Sequence, residues 1–292
     1  MRITENLMTQ NMLNNLHQNM ENLDEYNQKL SSGKEFRFPS DAPIEAARSM
    51  GYTSDIAKND QYEKNIDQAR SWMQTTESAM DDSNHIIQRA RELTVQASND
   101  TLTEADRSKL ANEFEELEEE LAKIAETRHG DRYVFAGQST DDSPLEEGEE
   151  YGNYDYVGDD LDIKREVTPG VELPVNLRAD EAFGDALEVM ADVREDLENG
   201  DEIGDELLDD FDEAIDENLE QRSELGARMN RLDMIERRIE DETLNLRELR
   251  SENEDTDFAE TIMEMRMQES VYQASLATGA RSIQPSLVDF LQ

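Results

Sequence analysis

The chain runs to 292 residues with 72 acidic against 28 basic side chains, a formal charge of −44, and its apolar fraction of 36% falls short of the roughly 45–50% of an ordinary globular domain. That composition excludes one large spherical core, and it excludes affinity for phosphate backbones or anionic membrane surfaces, which is built from Lys and Arg; neither nucleic acid nor membrane is expected as a partner. With no cysteine in the chain, disulfides, zinc–thiolate sites and cysteine nucleophiles fall away as well.

The first segment, 1–40, places Leu13, Leu16, Met20, Leu23 and Leu30 at alternating three- and four-residue spacing, broken only by Asn27, and the pattern predicts an amphipathic helix. Its opening residues lack the apolar stretch of a cleavable secretory signal, and no run approaches the ~18 apolar residues of a spanning helix; composition alone therefore points to the cytoplasm. Ser40 or Asp41 is expected to cap a second helix with Pro43 in its first turn, where a missing N–H costs nothing. Over 41–129 the stripe runs through Ile66, Ala69, Met73, Thr76, Met80, Ser83, Ile87, Ala90, Thr94 and Ala97. After a capping box at Thr101–Glu104 it resumes at Leu110, Phe114, Leu117, Leu121 and Ile124.

The centre, 130–182, reads differently. Nine of the 13 glycines lie between Gly130 and Gly204, with Pro144, Pro169 and Pro174 among them, and both residues interrupt helices. Strands are expected at 132–136, 161–167 and 171–177, where β-formers or period-two alternation are bounded by turn residues. Helical spacing returns over 183–255 with Phe211, Ile215, Leu225, Met229, Leu232, Ile239 and Leu246. It closes over 256–292 with Phe258, Ile262, Met265, Tyr272, Leu276 and Ile283, behind an Asp257–Glu260 cap. Seams repeating near 3.5 residues suit neighbouring helices. The expected fold is mainly α: an elongated antiparallel helical rod, a coiled-coil-like bundle of N- and C-terminal helices, with a small inserted antiparallel β region.

The charge is unevenly placed. Residues 1–31 hold four acids and two bases and residues 262–292 three and two, so the 230 residues between them carry −41. The ends are rich instead in amides and methionine, with ten Asn or Gln in the first 31 residues. Ends that are amphipathic and spared from charge are expected to pack inside an assembly, with the acidic middle facing solvent.

No catalytic constellation emerges. Ser31-Ser32-Gly33-Lys34-Glu35 looks superficially like a phosphate loop, but Gln28 and Glu35 stand where Gly and Ser or Thr are required. His17, His85 and His129 are far apart in sequence, and the acidic run Asp209–Glu213 lacks the glycine and spacing of a calcium loop. No enzyme, cofactor or metal is expected.

Leu30-Ser31-Ser32-Gly33-Lys34, then Pro39-Ser40-Asp41-Ala42-Pro43 and Ala46-Ala47-Arg48, resembles the N-terminal signature of the bacterial flagellin family, and Gln273–Ala277 through Ser286–Leu291 resembles its C-terminal signature. Ser40-Asp41-x-Pro43, Tyr133-Val134-Phe135-Ala136-Gly137 and Ser286-Leu287-x-Asp289-Phe290-Leu291 are nearer to the branch that joins the hook to the filament than to filament flagellins, although Ala42 replaces an expected Asp and Pro285 is flagellin-like. The resemblance implies an extracellular flagellar subunit exported unfolded through the type III channel without a cleaved signal. It also implies partners: hook-associated protein 1, flagellin filament subunits, copies of itself in a ring, and an export chaperone on the C-terminal helix. The terminal segments would then stay loose until docking. Ordering about 60 residues costs on the order of 60–120 kcal/mol of backbone entropy, which burial against neighbours has to offset. The expected assembly contacts are Leu7, Leu13, Leu16, Met20 and Leu23 with Leu276, Ile283, Leu287, Phe290 and Leu291, and ordinary intramolecular packing is the competing role for each. A filament flagellin and a cytoplasmic coiled-coil adaptor are the alternative functions. The excess charge predicts a halophilic or alkaliphilic source, because salt screens self-repulsion.

Overall fold

The computed structural model describes residues 2–98, 103–148 and 154–283. They form six helices and three short antiparallel hairpins: α1 (Arg2–Ser32), α2 (Pro43–Ala97), α3 (Glu104–Ala125), β1 (Arg128–His129), β2 (Arg132–Tyr133), β3 (Leu145–Glu147), β4 (Tyr154–Tyr156), β5 (Lys164–Thr168), β6 (Val171–Pro174), α4 (Ala179–Asn199), α5 (Asp205–Glu254) and α6 (Phe258–Ile283). The mainly α architecture with an inserted antiparallel β region is the one the sequence predicts. The chain divides into a terminal unit, Met1–Lys58 with Glu242–Gln292, and a central unit, Asn59–Asp241.

In the central unit every member of the α2 stripe from Ile66 to Ala97 is buried, the polar ones included. Thr76, Ser83 and Thr94 tolerate this because each hydroxyl donates to a carbonyl of its own helix, on Trp72, Met80 and Ala90 at 3.1, 2.8 and 2.9 Å. Leu110, Phe114 and Leu121 of α3 and Phe211, Leu225, Leu232 and Ile239 of α5 join the same core, while Leu117, Ile124, Ile215 and Met229 are half-buried at its edge. A buried amide layer crosses from α2 to α5. Asn218 donates to Ser83 Oγ at 3.0 Å, and Asn84 donates to Asn218 Oδ1 at 3.4 Å. A polar layer within an apolar seam fixes which residues face one another.

Charged pairs connect the helices. Arg89 reaches Glu113 of α3 at 2.7 Å, Arg222 reaches Glu77 of α2 at 2.8 Å, and Arg70 clamps Asp233 and Glu236 of α5. The deepest pair is Glu118 of α3, 1% exposed, with Arg194 of α4, whose Nε lies 3.2 and 3.1 Å from its two carboxylate oxygens. Burial pushes the Glu118 carboxyl up to about 7, against the pull of Arg194 in the other direction.

The hairpins pair Arg128 with Tyr133, Leu145 with Tyr156 and Arg165 with Leu173, the last with a bulge between Glu166 and Thr168. The strand expected at 132–136 ends at Tyr133. Beyond it Val134, Phe135 and Ala136 are buried and bond to several different segments: Val134 donates to the Thr127 carbonyl, and the Phe135 and Ala136 carbonyls accept from Ala179 and Asp159. Gly137 ends the run at φ +63°, and a Cβ there would lie 1.8 Å from the Asp159 carbonyl oxygen. The strands expected at 161–167 and 171–177 stand at Lys164–Thr168 and Val171–Pro174.

Two expected caps are shifted. Thr103, not Thr101, caps α3, its hydroxyl accepting from Asp106 N at 3.3 Å, so the box is Thr103–Asp106; Thr101 lies outside the described residues. Neither Ser40 nor Asp41 caps α2, because Asp41 turns back to accept from Phe38 N at 3.0 Å. Asp257 caps α6 as expected, its Oδ1 accepting from Ala259 and Glu260 N at 2.8 and 3.2 Å.

Candidate assembly interface

The terminal unit brings α1 and α6 together as an antiparallel pair. Met12 meets Gly279, Asn19 donates to Ser275 Oγ at 3.2 Å and accepts from Gln268 at 3.2 Å, Tyr272 OH lies 3.7 Å from Met20 Sδ, and Gly33 meets Phe258. Tyr26 faces Glu264 across the pair, and its hydroxyl pKa is raised, first by desolvation and then by that carboxylate. The missing side chain of Gly279 admits Met12, whose Cε sits 1.6 Å from where a Cβ would stand.

A compact knot closes the open end of this pair. Gly33 leaves α1 at φ +71°, the left-handed geometry of a helix C-cap, and its N–H bonds to the Lys29 carbonyl at 2.8 Å. Lys34 then bridges antiparallel to Asp255, with Glu35 N on the Glu254 carbonyl at 2.7 Å and Thr256 N on the Gly33 carbonyl at 3.0 Å. Side chains repeat the tie: Lys34 pairs with Glu254, Ser49 donates to Glu254 at 2.7 Å, and Thr256 donates to Glu35 at 3.2 Å. Burial raises the Glu254 carboxyl, but the hydrogen bonds from Lys34 and Ser49 outweigh it and hold the group below its usual value. The Ser-Gly-Lys sequence at 32–34 thus serves as a backbone clasp and not as a phosphate loop.

Apolar burial is what the α1–α6 pair lacks. No described side chain of α1 is buried, and on α6 only Thr261 and Gly279 are. Leu7, Leu13, Met20 and Leu276 are 60, 50, 51 and 43% exposed, and Leu16 and Leu23 are half-buried. Phe258, Ile262, Met263, Met267 and Val271 are exposed beside them. The structure therefore places Leu7, Leu13, Leu16, Met20, Leu23 and Leu276 on one helix pair, while the Ile283 side chain and Leu287, Phe290 and Leu291 lie outside the described residues. The clasp residues Gly33, Lys34, Ser49, Glu254 and Thr256 were not foreseen as a site, and neither was Gly279. The signals were present: a glycine ending the α1 pattern, and a lone glycine inside the last helical stripe.

Among the described residues no group of three or more His, Asp or Glu side chains could hold a metal ion, and no helix is long and apolar enough to cross a membrane.

Comparison with known proteins agrees with the sequence resemblance. The model of the bacterial flagellin N-terminal helical region matches residues 3–140, and that of the C-terminal helical region matches residues 208–291. The flagellar hook-associated protein 3 of Escherichia coli is 28% identical over 304 residues, covering 94% of this chain and 95% of its own length. A flagellin of Halalkalibacterium halodurans is 29% identical over 287 residues, covering 97% and 96%. FlgL from Bacillus cereus superposes with a TM-score of 0.59 at 22% identity, over 69% of this chain and 99% of that one. The flagellar hook-associated protein 3 of Legionella pneumophila gives 0.61 at 17%, over 68% and 98%. These two structures share the fold.

Proposed function

Because the chain belongs to the bacterial flagellin family, we propose that it is a structural subunit of the flagellum, and not an enzyme, that joins the hook to the filament. The observation that carries the assembly role is the α1–α6 pair, in which Leu7, Leu13, Met20, Met263, Met267 and Leu276 remain 43–66% exposed. Burying one such side chain fully is worth about 1.5–3 kcal/mol, a gain that a neighbouring subunit can supply. The near full-length similarity to the Escherichia coli hook-associated protein supports the junction role.

In this reading Leu7, Leu13, Leu16, Met20, Leu23 and Leu276 are assembly contacts, continued by Ile283, Leu287, Phe290 and Leu291. The neighbours are hook-associated protein 1 on one side, flagellin subunits on the other, and copies of the chain around a ring. An export chaperone shields the C-terminal helix before type III export, and the subunit works outside the cell at the hook–filament junction. The segments 1–40 and 256–292 then act as the assembly arms, 41–129 and 183–255 as the rod, and 130–182 as the β-rich insertion. The acidic excess suits a salty or alkaline medium.

The flagellin of Halalkalibacterium halodurans, matched over a comparable length, supports a second reading as a filament subunit. Light scattering on the purified protein at micromolar concentration in molar salt, with hook or filament seeds added, separates the two. Junction protein binds the seed and stops, whereas growth into long polymers identifies a filament flagellin. A dimer indifferent to seeds refutes both readings.

A further inference from the structure

The net charge is not spread evenly over the central unit. Helix α4 carries eight carboxylates and one arginine, and residues 200–217 carry ten carboxylates and no base, whereas residues 220–241 of α5 hold six acids and five arginines. Along that stretch Leu219, Ser223, Gly226, Asn230, Met234 and Arg237 recur at three- and four-residue spacing and so share one face of the helix. Leu219 and Met234 are 47 and 61% exposed, and Ser223, Asn230 and Arg237 are exposed with them. Between Leu219 and Arg237 no carboxylate falls in this row, which Asp216 and Asp241 bound at its two ends; Asp233 and Glu236 turn to Arg70.

Two details mark the face as unfinished. Among the arginines of 220–241, Arg222 holds Glu77 and Asp81, and Arg228 holds Glu224. Arg238 reaches Thr168 Oγ1 at 3.4 Å. Arg231 and Arg237 meet no carboxylate among the described residues, in a chain where acids outnumber bases 72 to 28; Arg237 bonds only to its own helix, at the Asp233 carbonyl 3.1 Å away. Gly226 sits mid-helix with nothing within 4 Å of where its Cβ would be, an unfavourable choice for a helix that leaves the backbone bare to close approach.

Resting on the flagellar reading above, we propose that this face of α5 docks a second copy of the chain, which presents the carboxylate-rich surface of its α4 and of residues 200–217. Two copies of so acidic a protein cannot approach acid to acid without strong repulsion. The α5 face offers the opposite arrangement: an uncharged, partly apolar row that ends on the Arg237 guanidinium, with Arg231 on the adjoining side of the helix, each short of a carboxylate partner. Bidentate pairing to carboxylate is what the guanidinium geometry favours. The contact joins two different patches, so it is heterologous and repeats from copy to copy, as a ring or helical tier requires.

The native chain has no cysteine, so Asn230→Cys gives a single attachment point for a thiol-directed benzophenone. The labelled full chain is mounted on purified hooks that already carry hook-associated protein 1 and irradiated. The expected adducts join position 230 of one copy to peptides of 179–217 in another; adducts confined to the same copy, adducts on a different protein, or none at all overturn the proposal. In parallel, the double variant Arg231→Glu/Arg237→Glu is expected to mount at least tenfold fewer copies per hook at an unchanged helical circular-dichroism signal. Variant and native protein mounting equally overturn the docking surface and leave the junction reading intact. Native protein that fails to mount overturns the junction reading itself, and this inference with it.

Discussion

Neutralising Glu118 should change how the stability of the central unit depends on pH. In the fold its carboxyl titrates at about 7, raised from 4.5 by burial between α3 and α4. The folded state therefore holds a proton that the unfolded state has released, and the stability this contributes is fully present below about pH 4.5 and is lost as pH rises through 7. Integrating between those two values, the native protein should lose about 2.5 kcal/mol from pH 5 to pH 8 through this group alone. Glu118→Gln removes the titration and keeps the shape, leaving Arg194 its contact with Glu198 at 3.5 Å. Asp192, Asp196 and Glu217, whose pKa values are also raised, titrate in both proteins and cancel in the difference. Urea unfolding at pH 5, 6, 7 and 8, followed by far-UV circular dichroism in molar salt, should show the variant gaining about 2.5 kcal/mol on the native protein across that range. Parallel pH profiles would show that Arg194 holds Glu118 ionised throughout and would refute the reasoning.

The remaining predictions concern packing, salt and assembly. Gly137→Ala should destabilise the protein by at least about 2 kcal/mol, because the new Cβ falls 1.8 Å from a backbone oxygen that cannot swing aside as a side chain would; urea midpoints check it. Asn218→Ala leaves the buried Ser83 hydroxyl and Asn84 amide without their partner and should cost about 1–3 kcal/mol on the same measurement. Raising NaCl from low to molar concentration should raise the urea midpoint by screening the −44 charge; an unchanged midpoint contradicts the salt-adaptation reading. Leu7→Glu with Leu13→Glu, at positions 60 and 50% exposed, should leave the unfolding free energy within about 0.5 kcal/mol and lower mounting on hooks that carry hook-associated protein 1 at least tenfold, counted by labelled protein per hook.

The long seams were the most legible part of the chain. Ile66 through Ala97 could be picked out because coiled-coil packing sets its own period, and the structure buries every member, Thr76, Ser83 and Thr94 included. The hairpins were half legible: alternation at 171–177 gave β6, but Tyr133-Val134-Phe135-Ala136 is strongly β-forming and nevertheless leaves the ladder after Tyr133. Burial wins there, since Phe135 packs edge-on against Phe183 with ring centroids 4.8 Å apart and tertiary packing overrides strand propensity. The clasp around Lys34 and Glu254 joins residues 220 positions apart, and no local pattern reports a contact of that separation. The shifted caps have a local cause: Ser, Thr and Asp all compete for nearby N–H groups, and Asp41 found Phe38 before it could reach α2.

The same seam grammar produces opposite outcomes in the two units, and the difference lies in partners. In the central unit the stripe of α2 meets stripes on α3 and α5 and is fully buried. In the terminal unit Asn19 and Met12 of α1 meet Gln268, Ser275 and Gly279 of α6, while Leu7 and Leu13 stay exposed. The hydrogen bonds of Asn19 to Ser275 and Gln268 are only partly buried, and such bonds contribute about 1 kcal/mol net each. The α1–α6 pair is thus specified in register, by Met12 on Gly279 and by the Lys34 clasp, without being strongly stabilised. Under the assembly role proposed above, such a pair would take most of its stability from a neighbouring subunit. Near neutrality at both ends completes the scheme, since carboxylates at the density of α4 would make the same burial unfavourable.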